Sequence, residues 1–338
     1  MIEIDGSEGE GGGQIFRSSI ALSMITGRSV RVRSIRGGRK KPGLMRQHLT
    51  ALDAAQRICG ARVDGAAVRS TEVVFEPGTP QAGTYHFAVG TAGSTTLVLQ
   101  AVLPALLIAD GPSEVVLEGG THNPWAPPFD FLARAFLPLI ERMGPRIEAT
   151  LEQPGFFPAG GGRLRVRIEP TPTLAPIELI DAGAIRAQRA RVLTANLPAH
   201  IGRREVQLLS KQTSWSDDAI QLEDVEAHGP GNVVLLEIER DTVTEVFTGF
   251  GQRGVRAEAV VSNTVKAMRR YLEADVPVGE HLADQLLLPM AMAGGGSMRT
   301  LPLSRHASTQ VDLLGRFVEV PIRVERRTKR RCEVHIGR

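Results

Sequence analysis

Apolar and polar residues alternate through SVRVRSI (29–35), STEVVFEP (70–77), YHFAVG (85–90), SEVVLEGG (113–120) and GRLRVRIEP (162–170). Period-two alternation predicts half-buried strands. Between them, ALDAAQRICGA (51–61) and FLARAFLPLIERMG (131–144) repeat their apolar positions at helical spacing. Three further apolar helices are predicted behind glycines, in 9–27, 89–107 and 278–296. The pattern is one of repeated strand and helix units, with helices on one face of each sheet. The echo between units is too degenerate to prove duplication.

The texture changes from about Ala182 to Val278. Strands are predicted at 185–198, 232–240 and 243–251, and helices at 202–213 and 256–275. HGPGN (228–232) is a turn signal. PTPTLAPIE (170–178), with three prolines, suits a boundary. A small compact domain inserted into a larger one is the expectation, with 1–181 and 279–338 on one side and 182–278 on the other.

Composition narrows the class. Hydrophobic residues make up 42% of the 338 and charged residues 23%, as in ordinary globular proteins. Aromatics are only 4%, so the core must be aliphatic. No apolar run reaches the roughly 18 residues of a membrane helix, and the N-terminus does not read as a signal peptide. The two cysteines, Cys59 and Cys332, match no metal or disulfide spacing and fit a reducing compartment. A cytoplasmic protein without membrane partners is expected. Net charge is only +3, yet RVRSIRGGRKKPGLMRQH (31–48) is basic with no acid, and RVERRTKRR (323–331) is a second basic cluster. Such patches suit a polyanion or form a solvated surface.

The run GSEGEGGGQIFRSS (6–19) puts glycines and two glutamates ahead of a helix. It is either an anion cradle at a helix N-terminus or a tight turn. Carboxylates repel phosphates, so Glu10 has three readings. It complements the helix dipole, it is solvated, or it holds a divalent cation that itself binds phosphates. No Walker phosphate loop is present. In LPLSRHASTQ (301–310), His306 is a nucleophile, base, ligand or ordinary residue. In HLADQ (281–285), Asp284 either serves a nucleotide or caps a helix.

These segments, with PGFFPAGGG (154–162), RGGRKKPGLMRQHLTA (36–51), GTAGSTTLVLQAVLPAL (90–106), GGTHNPWAPPFDF (119–131) and VGEHLADQLLLPMA (278–291), resemble the RNA 3′-terminal phosphate cyclases in order along almost the whole chain. The resemblance implies an α+β fold. Its large domain holds three repeated two-helix, four-stranded-sheet units resembling enolpyruvyl transferases, and its small inserted α/β domain is thioredoxin-like. It implies ATP-dependent conversion of an RNA 3′-phosphate to a 2′,3′-cyclic phosphate through a covalent histidine–AMP and an RNA-3′-pp-5′-A intermediate.

Carried over by position, His306 is the nucleophile and Glu10 holds the divalent metal, Mg2+ or Mn2+. Gln100, Pro127, His281, Leu282, Ala283, Asp284 and Gln285 fall where the family contacts ATP. Arg17, Arg36, Arg39 and Gln47 fall where phosphates of ATP or the RNA end are held. Phe247 or Phe250 is a loosely aligned candidate to stack on adenine. The implied partners are ATP and an RNA 3′-phosphate end, and a homodimer is compatible with the pattern. This chain departs from the family at Pro154, where Arg or His is usual, at His281 (often Tyr) and at Gln310 (commonly Asn). The competing expectations are a non-catalytic relative in ribosome assembly, which lacks the histidine, and an enolpyruvyl-type transferase.

Overall fold

The computed structural model describes residues 1–337. The chain opens with β1 (Ile2–Asp5), α1 (Gly13–Thr26), β2 (Val30–Arg33), α2 (Arg46–Cys59), β3 (Arg62–Asp64) and β4 (Val73–Glu76). Their sheet has the order β1-β2-β4-β3, with β1 parallel to β2 and the other pairs antiparallel. Alternation is what buries Val30 and Val32 while Arg31 and Arg33 face outward to Glu3 and Glu72. Gly27 ends α1 in the left-handed conformation at φ 68°, and its N–H bonds the Ser23 carbonyl.

Next come β5 (Thr84–Ala88), α3 (Thr95–Leu106), β6 (Ser113–Gly119), α4 (Phe129–Phe131), α5 (Leu137–Glu141), β7 (Arg146–Gln153) and β8 (Gly162–Glu169). The Ser94 hydroxyl starts α3 by accepting the Leu97 N–H at 3.2 Å. The helix predicted at 131–144 is broken by a wide turn at Leu132–Phe136 between α4 and α5. Pro138 has no N–H for the usual ladder, and just before it the Leu137 N–H reaches back to the Leu132 carbonyl instead. This sheet runs β5-β6-β8-β7. Its outer face is a lattice of ion pairs in which Arg163, Arg165 and Arg167 meet Glu114, Glu118 and Glu152.

After β9 (Ile177–Leu179) the chain builds β10 (Ile185–Ala195), α6 (Ala199–Thr213), β11 (Ile220–Asp224), β12 (Gly231–Arg240), β13 (Thr244–Phe250) and α7 (Ala257–Ala274). This sheet, β11-β10-β12-β13, packs with α6 and α7 around a second core that includes Val192, Leu236, Val261 and Tyr271. The chain then returns through α8 (Glu280–Met292), β14 (Gly296–Thr300), α9 (Arg305–Phe317), β15 (Ile322–Arg326) and β16 (Cys332–Ile336). β14 pairs parallel with β9, giving the order β15-β16-β14-β9. Read from its parallel edge, each of the three sheets outside the span 185–274 has one parallel and two antiparallel pairings in the same sequence.

Residues of α1, α2, α3, α8 and α9 join those three sheets in one continuous core, including Phe16, Leu52, Leu103, Leu286 and Leu314. Cys59 and Cys332 are buried and unpaired. Among the described residues no helix is long and apolar enough to cross a membrane. The basic segment 323–331 covers most of β15 and the turn into β16. Glu8 meets Arg316 of α9 at 2.8 Å, although both side chains are about half exposed and the pair contributes little.

Candidate active site

The glycine run is a turn that folds back on its own carboxylate. Gly9 and Gly11 take positive φ values of 51° and 63°. Gly12 is the N-cap of α1, and its N–H donates to Glu10 Oε2 at 2.8 Å. A Cβ at Gly12 would lie 2.2 Å from that carboxylate. Glu10 thus occupies one of the N–H groups that an anion cradle would offer, and it complements the positive end of the helix. Its side chain is only 5% exposed and pairs with Arg39. Its backbone N–H donates to Thr309 Oγ1 of α9 at 2.9 Å, which ties the turn to the helix carrying His306.

His306 stands in the first turn of α9, just after Ser304, whose hydroxyl accepts the Ala307 N–H at 3.0 Å. Its Nδ1 is 2.7 Å from Gln14 Oε1, and Gln14 Nε2 is 2.6 Å from Asp284 Oδ1. An ionised Asp284 only accepts, so the Gln14 NH2 must face it and the Gln14 carbonyl must face the histidine. His306 then carries its proton on Nδ1, and the Nε2 lone pair is free. Burial lowers the His306 pKa, with Arg39 and Arg17 adding to the shift and Asp284 opposing it. Burial raises that of Asp284 against the pull of His306 and the Gln14 hydrogen bond. The neutral imidazole is therefore favoured, with its Nε2 4.0 Å from Glu10 Oε1.

Arg17, one turn along α1 from Gln14, lies beside His48 of α2 and near Arg36. Neither Arg17 nor Arg36 forms an ion pair among the described residues. Burial pushes Arg17 down to about 10, with Arg36 adding to the shift and Asp284 opposing it. Burial, Arg17 and Arg36 push His48 down to about 3, so it is neutral. Arg36, at φ 56°, is held by the Lys41 and Gly43 carbonyls at 2.7 and 2.9 Å. Like charges desolvated together are unfavourable unless an anion joins them. Gln47 is tied to α3 through the Ser94 N–H at 3.2 Å. The N-terminal turns of α1, α2, α3, α8 and α9 are thereby linked around one region.

On the far side, Gln100 of α3 hydrogen-bonds Gln285 of α8, and Gln285 Nε2 is 3.4 Å from Asp284. The Pro127 carbonyl accepts the Thr96 hydroxyl at 2.7 Å, and His281 is exposed in the first turn of α8. Leu282 and Ala283 are 0% and 1% exposed, and they belong to the core. Helical periodicity puts them on the face opposite His281, Asp284 and Gln285. Phe247 packs 5.4 Å from the buried Tyr271 in the second core, and Phe250 packs against the main core.

Sequence reading missed Gln14. The signal was available in the polar positions Gln14, Arg17 and Ser18, which share one face of a mostly apolar helix that also carries Ser19, Ser23 and Thr26. Gln310, the Asn departure, is buried and accepts the Ser18 hydroxyl at 2.8 Å, so α9 is still tied to α1. Among the described residues, the one group of three His, Cys, Asp or Glu donors close enough to share an ion is Glu325, Glu333 and His335 on the β15–β16 hairpin. There Glu333 is already paired with Arg299 and Arg327. Glu10 offers one carboxylate, a hard-oxygen donor of the kind divalent cations prefer, and it is already engaged by Arg39 and the Gly12 N–H.

A family model described as RNA 3′-terminal phosphate cyclase matches residues 8–324. The chain is 47% identical over 325 residues to a protein of that name from Koribacter versatilis, covering 96% of this chain and 92% of the relative. It is 48% identical over 323 residues to one from Ectopseudomonas mendocina, covering 95% and 94%. A third, from Ralstonia nicotianae, is 47% identical over 325 residues, covering 96% and 93%.

Proposed function

The chain belongs to the RNA 3′-terminal phosphate cyclase family, and from that premise we propose that it uses ATP to convert an RNA 3′-phosphate into a 2′,3′-cyclic phosphate. The observation that carries this reading is the Asp284–Gln14–His306 chain, which leaves a neutral Nε2 lone pair beside unpaired arginines. In the first step Nε2 attacks the α-phosphorus of ATP. An N–P bond forms, the bond to the β-phosphate oxygen breaks, and pyrophosphate leaves with the electron pair. The Nδ1–H stays on the ring, and the Gln14 carbonyl and Asp284 stabilise the positive charge that develops there.

An oxygen of the RNA 3′-phosphate then attacks the same phosphorus, the N–P bond breaks and neutral His306 is restored. The product is an RNA-3′-pp-5′-A end. Its 2′-hydroxyl attacks the 3′-phosphorus, losing its proton to solvent, and AMP departs. Adenylation makes a good leaving group, and the ring closes quickly because the hydroxyl is already a neighbour. Arg17, Arg36 and Arg39 are the phosphate ligands in this reading, with Gln47 beside them. His281 and Pro127 flank the adenine, and Gln100, Asp284 and Gln285 contact the nucleotide. Glu10 would hold the divalent cation once Arg39 turns to phosphate; such an ion offsets phosphate charge.

The common strand order of three sheets supports reading 1–181 and 279–338 as a catalytic domain of three repeated units, like the enolpyruvyl transferases. The separate core supports reading 182–278 as an inserted, thioredoxin-like domain. Free buried thiols suit the reducing cytoplasm.

Incubation with α-labelled ATP and divalent metal tests the first step. Label on the denatured protein should be acid-labile and base-stable, absent in His306→Ala, and shifted to higher metal concentration in Glu10→Ala. Wild-type protein that binds ATP yet takes no label refutes the covalent mechanism.

A further inference from the structure

The PGFFPAGGG motif has no part in the chemistry above. Its Gly160 packs on the Ala92 backbone, and Phe156 stacks on His122 at 5.2 Å. The next residue, Phe157, points outward and is 51% exposed. Trp125, from the loop between β6 and α4, is 75% exposed and meets Phe157 edge to face at 5.6 Å. Two large aromatics are held together in water, whereas Phe16, Phe75, Phe87, Phe131, Phe136, Phe156, Phe317 and Tyr271 are buried. Exposure of this kind marks a binding surface.

The loop carrying Trp125 is tied by hydrogen bonds to α3 and to the turn that contacts Gln47. Pro127, two residues after Trp125, is pinned by Thr96 of α3, one turn before Gln100. Asn123, two residues before Trp125, donates to the Ala92 carbonyl at 2.8 Å. The Ala92 turn leads to Gly93 and Ser94, which contact Gln47. Gln47 follows the basic segment in which Lys40, Lys41 and Arg46 are exposed and form no ion pair among the described residues. Unpaired cations on one flank and open aromatic rings on the other are the two elements that recognise a single nucleic-acid strand.

We propose that Trp125 and Phe157 form a stacking platform for a nucleobase of the RNA strand near its 3′ end, with Lys40, Lys41 and Arg46 carrying adjoining phosphates. The proposal rests on the cyclase reading for its substrate. It separates base recognition, on Trp125 and Phe157, from ATP recognition on α3 and α8.

With a 3′-phosphorylated RNA oligonucleotide, Trp125→Ala should raise KM for RNA about tenfold, the weight of one stacked base. Its self-labelling by ATP should match wild type, and Trp125→Phe should recover most of the RNA affinity. In a Trp215→Phe background Trp125 is the sole tryptophan, and the oligonucleotide should quench its fluorescence without ATP. An unchanged KM for RNA overturns the platform, and so does a loss of ATP labelling equal to the loss of RNA use. If the protein neither labels nor cyclises, the cyclase reading fails while quenching still decides the platform: quenching upholds it, and none overturns it.

Discussion

At the scale of the residue, one amide decides how the site works. Gln14 has two hydrogen-bonding ends and uses both, one on Asp284 and one on His306. Its role is to fix which imidazole nitrogen is bare. Gln14→Ala should slow ATP labelling about 10- to 100-fold, as losses of orienting partners do, with little change in KM for ATP. A rate within twofold of wild type refutes the role. The pH dependence follows from the depressed His306 pKa. Protonation removes the lone pair, so labelling should decline only as pH falls below the ordinary imidazole value of about 6.5. A decline already complete at pH 7 in a labelling-rate profile contradicts the burial argument.

At the scale of the element, α8 is held by the β10–β13 sheet. Its N-cap residue, Gly279, donates its N–H at 2.5 Å to Glu245 of β13. Burial pushes that carboxyl up to about 8 against two backbone hydrogen bonds. The folded protein therefore keeps a proton that the unfolded chain releases above 4.5, and stability falls as pH rises from there to about 8. Glu245→Gln keeps an acceptor for Gly279 and has nothing to titrate. Its thermal midpoint should drop less than wild type's between pH 5 and pH 8, by the equivalent of about 1 kcal/mol per pH unit. Identical pH slopes in thermal melts count against the buried acid.

Part of the architecture was legible, because β2, β6, β8, α1 and α3 carry their own periodicity. β1, β7, β11, β14, β15, β16 and α9 were not predicted. Nor were β9 and β3. They have three residues each, and their pairing partners rather than their own pattern make them strands. Of the site, His306, Glu10 and the arginines were reached through motif resemblance. The Gln14 bridge was not, because its partners are 270 and 292 positions away.

At the scale of the whole molecule, the β10–β13 sheet is fastened to the rest by contacts that need glycine. A Cβ on Gly231 would lie 2.1 Å from the Phe156 ring, and one on Gly161 would lie 2.3 Å from His228. Charged links add to this seam: Arg191 to Asp130 at 2.9 Å, with Asp130 also on buried His122, and Arg134 to Glu237 at 3.0 Å. Gly231→Ala should destabilise the protein by about 1–3 kcal/mol through overpacking, read as a lower urea midpoint. Phe156→Leu should restore part of the loss in the double variant; strict additivity would place the strain elsewhere.

The pairing of β9 with β14 has a consequence in time as well as in space. β9 emerges from the ribosome long before its parallel neighbour exists, and the whole β10–β13 sheet is made in between. Contacts so distant along the chain form late. His306 is made later still, and it reaches Gln14 only after the β1–β4 sheet has been waiting since the start of synthesis. During translation the growing chain thus has Glu10 and the arginines but not His306. Under the proposed mechanism it cannot consume ATP until α9 docks on α1, so a stalled or truncated product should be chemically silent rather than partly active.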